Sequence, residues 1–175
     1  TGKTKEAVQS LFGLSVFLGL IFAVSVLATY ILGIIYGFLP DSYYALALTE
    51  EILLRTSSSP IYILMAILLG MASMIALIKD FSESIAGVAV AAALLPPTAV
   101  AGISLVMITD KALGAILLTL DNVIGLIAGA MIATLIIGVA PRSGEEQRVA
   151  KHFVKRTAII ILLLILMLTL FSFSF

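Results

Sequence analysis

Ser10-Leu11-Phe12-Gly13-Leu14-Ser15-Val16-Phe17-Leu18-Gly19-Leu20-Ile21-Phe22-Ala23-Val24-Ser25-Val26-Leu27-Ala28-Thr29-Tyr30-Ile31-Leu32-Gly33-Ile34-Ile35-Tyr36-Gly37-Phe38 is one run without a single charged side chain. At 1.5 Å per residue a helix of this length reaches about 43 Å, and about 20 residues suffice to cross roughly 30 Å of hydrocarbon. Apolar side chains fill every face of such a helix, so no soluble core could take them all up. The run reads as a transmembrane span that crosses with tilt or protrudes. Tyr30 and Tyr36 stand toward its far end, at the depth of an aromatic belt, and Pro40-Asp41-Ser42 closes it.

The rest of the chain repeats the pattern. Of its 175 residues, 62% are apolar and 11% charged, against about 45–50% and about 25% in ordinary soluble domains. The mean hydropathy is +1.24. Further spans are predicted at about 60–78, 84–108, 112–139 and 158–171. The fold class expected is therefore all-α, a polytopic transmembrane bundle of about five spans forming a single domain over 1–175, with the lipid bilayer as its first partner. The start at Thr1, without Met, reads as a fragment of a longer protein. Thr1-Gly2-Lys3-Thr4 looks like the end of a phosphate-binding loop, but the first glycine of that motif is missing and a membrane span follows.

Ten basic and ten acidic residues balance, so net charge points to no nucleic acid. Without Cys there are no disulfides, thiolate metal sites or thiol nucleophiles. If all five runs cross, eight Lys and Arg fall on one side and two, Arg55 and Lys111, on the other, which fits the positive-inside rule. A re-entrant third segment would erase that asymmetry. The expectation is a multi-pass protein of a prokaryotic cytoplasmic membrane, with the N-terminus cytoplasmic and the C-terminus outside. Residues 45–56 mix Glu50, Glu51 and Arg55 with Leu46, Leu48, Ile52 and Leu53, and read either as an interfacial helix or as a short surface loop. Ser57-Ser58-Ser59-Pro60 marks a turn, with Ser59 as N-cap and Pro60 at the first helical position.

Two places could carry chemistry. Pro96-Pro97 interrupts the third span near its middle, removing two backbone donors and leaving carbonyls around Ala92 and Ala93 without intrahelical partners. The third span is expected to break or bend sharply there. Transporters use such breaks to hold ions and polar substrates, which makes Pro96, Pro97 and Thr98 candidates for a substrate or ion path; a kink repaired by neighbouring groups is the plainer reading. Asp121-Asn122 lies within the fourth span, where an ionised carboxylate is costly and commonly functional. Thr119 stands three residues from Asn122. The plainer reading of Asp121 is a protonated carboxyl bonded to a neighbouring helix. Gly87, Gly102, Gly114, Gly125 and Gly129 are expected at helix contacts, and the small-residue faces point to a homo-oligomer.

Other polar residues read more plainly. Asp80 and Glu83 suit the start of the third span. His152, among Lys151 and Lys155, suits anionic lipid heads better than catalysis. An aspartyl protease needs two deep carboxylates and only Asp121 is deep; the HExxH motif of zinc proteases is absent. No catalytic residue, metal site or cofactor is expected, and the reading is of a protein that is not an enzyme.

Gly87-Val88-Ala89-Val90-Ala91-Ala92-Ala93-Leu94-Leu95-Pro96-Pro97-Thr98-Ala99-Val100-Ala101-Gly102, followed by a glycine-containing span with Asn122, resembles the bacterial and archaeal membrane family catalogued as domain of unknown function 389. Glu51-Ile52-Leu53-Leu54-Arg55-Thr56-Ser57 resembles that family's segment before the span at 60–78. The likeness covers roughly 1–139. It implies a polytopic prokaryotic membrane protein, in some members joined to an N-terminal soluble domain, and implies no established activity. Asn122 matches the family's polar position, whereas Asp121 stands where the pattern has an uncharged residue such as Thr. Two functions remain: a transporter or channel subunit for a small solute or ion, and a membrane scaffold that anchors and oligomerises a soluble domain.

Overall fold

The computed structural model describes residues 2–37, 49–79, 83–137, 159 and 163. The elements are α1 (Gly2–Tyr36), α2 (Glu50–Leu54), α3 (Pro60–Ile78), α4 (Glu83–Met107) and α5 (Thr109–Ile137). Among the described residues, four segments are long and apolar enough to cross a membrane: Val8–Ile35, Pro60–Ile78, Glu83–Met107 and Thr109–Ile137. They match the first four expected spans to within a few residues at each end. The expected fifth span, 158–171, lies outside the described residues except for 159 and 163, as does the basic stretch 142–156 on which the expected orientation rests.

The expected break at Pro96-Pro97 does not occur. Both prolines lie inside α4, which is helical from Glu83 to Met107 without interruption. Proline's fixed φ near −65° is itself helical, so what the prolines remove is two donors and some room. The alanines at 91–93 keep the preceding turn slim. The carbonyl of Ala93, deprived of the Pro97 N–H, accepts the side-chain Nδ2 of Asn122 at 2.8 Å. At the next residue, the Thr98 hydroxyl donates to the Leu94 carbonyl at 2.6 Å. A double proline of which one freed carbonyl finds an outside donor need not end a helix.

The chain breaks instead between α2 and α3. Arg55 caps α2 with φ −95° and ψ 6°, and Ser59 precedes α3 in an extended conformation, φ −143° and ψ 145°. Ser59 holds the N-cap position, with Pro60 in the first turn as expected, but its side chain makes no capping bond. Of the 45–56 segment, Glu50–Leu54 is helical and 45–48 lies outside the described residues. Its Arg55 pairs with Glu51 across one turn at 2.7 Å, both partly exposed.

The helices are grouped into two compact units, one of Thr1–Ser57 with Leu94–Ile116, the other of Ser58–Ala93 with Leu117–Phe175. In the first unit, Val100, Ala101 and Ala115 form a small buried cluster, with Phe22 of α1 and Ile52 of α2 packed against it. Ile52 thus packs against the protein's own core. Gly102 admits α1: a Cβ there would stand 2.7 Å from Ser25 Cβ and 2.8 Å from the Phe22 carbonyl oxygen. Gly114 admits the backbone of Thr56 in the same way.

In the second unit, α3 lies along α5. Gly125 faces Ile63, Ala66 and Ile67, Gly129 faces Ile67 and Met71, and Gly70 of α3 faces Leu126. Residue numbers rise together on both helices, so α3 and α5 are parallel. Parallel second and fourth spans follow when the span between them crosses completely, as an unbroken α4 of 25 residues can.

Candidate functional site

Asp121 is 1% exposed. It stands twelve residues into α5, about 18 Å from Thr109 at 1.5 Å per residue. The Ser58 hydroxyl donates to its Oδ2. Ser58 is two residues ahead of Pro60, so α3 starts beside the interior of α5 and not beside its end. The first turn of a helix carries unsatisfied N–H groups and a partial positive charge, a favourable neighbourhood for a carboxylate. Among the described residues Asp121 has no ion-pair partner, and its Oδ1 is buried without a hydrogen bond.

Asn122, 9% exposed, turns its amide nitrogen toward α4. Its Nδ2 serves the Ala93 carbonyl, and its Oδ1 is, like that of Asp121, buried without a partner. The proline explains the orientation: a carbonyl that has lost its N–H must face the amide nitrogen, which sends the amide oxygen elsewhere. The structure brings together Ser58 with Asp121 and Asn122 with Ala93, all within one unit. Thr119 of the same unit is buried and engaged in an interaction. Pro96, Pro97 and Thr98 belong to the other unit; Pro97 and Thr98 are buried and Pro96 is half-buried.

The expected packing glycines divide. Gly102, Gly114, Gly125 and Gly129 each lie against backbone or side chain where a Cβ would intrude, whereas a Cβ on Gly87 would meet open space. Gly87 is therefore no contact point within the described residues. Two participants were missed from sequence. Ser58 was read only as part of a turn, although three serines before a proline mark a place where the chain can open a polar gap in an apolar run. Gly70, four residues after Ala66, carries the small-x-x-x-small spacing that signals close helix contact.

Among the described residues there is no group of three or more His, Cys, Asp or Glu that could hold a metal ion. The site is a single carboxylate, a hydroxyl and an amide, all oxygen and nitrogen, at the start of a helix inside an apolar bundle.

A family model described as domain of unknown function (DUF389) matches residues 1–128, and the chain belongs to that family. No curated protein and no solved structure matches it.

Proposed function

We propose that this membrane-embedded protein is a transporter or channel subunit for a small solute or ion, with Asp121 and Asn122 on its path. The carrying observation is the start of α3 beside Asp121, in the interior of α5, where a chain break, a helix N-terminus and a carboxylate meet. Discontinuous helices that end at membrane depth are how transporters offer polar groups to a substrate while the remaining backbone stays satisfied. A carboxylate with no basic partner in an apolar setting is otherwise a standing cost. The chemistry needed is binding and release, with no bond made or broken, so the reading is not of an enzyme.

The scaffold reading also has an observation in its favour. Three glycines seat α3 against α5, and so close a contact suits a rigid anchor as well as the wall of a path.

Flux into proteoliposomes separates the two. Wild-type protein is expected to carry protons or a monovalent cation above the leak of empty vesicles, and Asp121→Asn to lose about tenfold or more, a size in keeping with a group that the solute must engage. A folded wild type that moves no proton, cation or small polar solute would leave the scaffold.

A further inference from the structure

Two buried acceptor oxygens on consecutive residues of α5 lack any donor: Asp121 Oδ1 and Asn122 Oδ1. Both side chains are at least nine-tenths buried. We infer that these two oxygens are protein ligands of a small monovalent cation, Na+ or K+ in class, held beside Ser58 at the start of α3. The inference deepens the transport reading by naming the ion that the same residues take.

A buried acceptor without a donor is costly, and the two atoms differ in what can relieve them. A proton on Asp121 Oδ1 would satisfy Asp121 alone. Asn122 Oδ1 cannot be relieved by titration, nor by a flip of the amide, because its Nδ2 is committed to the Ala93 carbonyl that Pro97 leaves without an N–H. A cation seated between the two oxygens would relieve both atoms together. The charge matches as well: one carboxylate with no ion-pair partner among the described residues balances one positive charge. A divalent ion commonly draws on more carboxylates, and no such group exists among the described residues.

The ligand atoms decide the class. Carboxylate and amide oxygens are hard donors, suited to alkali ions and poorly suited to soft metals. Ser58 Oγ donates to Asp121 Oδ2, which holds the carboxylate in place beside the start of α3. Pro97 acts at one remove, as a positioning residue: by emptying the Ala93 carbonyl it fixes which end of the Asn122 amide is left for the ion.

The test is direct binding of radioactive 22Na+ to the purified full chain in detergent, by scintillation proximity, with K+, Li+ and Ca2+ as competitors. Saturable binding of one ion per chain, displaced by another alkali ion and not by Ca2+, is expected. Asp121→Asn, close to isosteric, is expected to weaken it by at least about tenfold, and Ser58→Ala by a smaller factor. Thermal unfolding gives a second readout. The midpoint should rise with Na+ or K+ at ionic strength held constant with N-methylglucamine, and Asp121→Asn should remove the dependence, as linkage requires for a ligand bound by the folded state. If Asp121→Asn proves unstable, Asp121→Ser serves in its place. Unsaturable binding, or an affinity unchanged in both Asp121 variants, would overturn the inference. Saturable binding without flux would uphold this site and remove the transport reading. Flux of a solute without saturable cation binding would do the reverse.

Discussion

Two proline-bearing stretches of this chain have opposite outcomes. Pro96 and Pro97 stand adjacent in the middle of α4, and the helix runs through them; Pro60 stands alone at the first turn of α3, and there the chain has just broken. The difference lies in what surrounds each. Before 96–97 the neighbours are alanines and leucines, which offer the backbone no alternative partner, Thr98 just after bonds back into the helix at Leu94, and the Asn122 side chain replaces a missing donor. Before Pro60 three serines can bond locally and turn the backbone, and Ser58 finds a carboxylate on another helix. Proline removes a donor in both places. Whether the helix ends depends on who supplies the replacement.

The largest effect that would bear on this comparison is at the seat of α3. A Cβ on Gly129 would run into the Ile67 carbonyl and lie 2.8 Å from Met71 N. Gly129→Ala is expected to force α3 off α5, part Ser58 from Asp121 and destabilise the fold by about 3 kcal/mol, the upper range for overpacking. Denaturant titration in mixed micelles would read it. A loss below about 0.5 kcal/mol, the usual size for an innocuous surface change, would mean that α3 is not held where described.

Next comes the repair of α4. Asn122→Leu leaves the Ala93 carbonyl without its donor and should cost about 2 kcal/mol, the penalty of a buried unsatisfied group. Adding Pro97→Ala restores the backbone N–H and should recover most of that loss. Strict additivity in this double-mutant cycle would show that the amide and the proline are independent.

The smallest effect is at Pro60. Since a first-turn N–H has no intrahelical partner, Pro60→Ala should change stability by no more than about 0.5 kcal/mol in the same titration. A larger loss would make Pro60 an essential part of the break and bring the two proline stretches closer together.

The sequence made the long helices legible because lipid asks for one simple thing, a run of apolar residues of sufficient length, and that can be counted. The span expected at about 60–78 coincides with α3, and Asp121 and Asn122 stand out because charge and amide are conspicuous in such runs. What could not be counted were partnerships. Ser58 and Asp121 are 63 residues apart, and Asn122 and Ala93 are 29 apart, so neither bond leaves a periodic trace. The break was therefore assigned to the conspicuous prolines, when an outside donor had made them harmless. Gly70 escaped for a related reason. Its partner on α5 is a backbone carbonyl, a group present at every position and marked by no residue type.

Only Ile108 separates α4 from α5. A link of one residue ties the end of α4 directly to the start of α5, and the two helices form a hairpin. In that hairpin Ala93 and Asn122 are fifteen and fourteen positions from the turn, opposite each other on arrival. The asparagine amide nitrogen and the bare carbonyl therefore satisfy each other within two consecutive helices, and that repair asks nothing of a third.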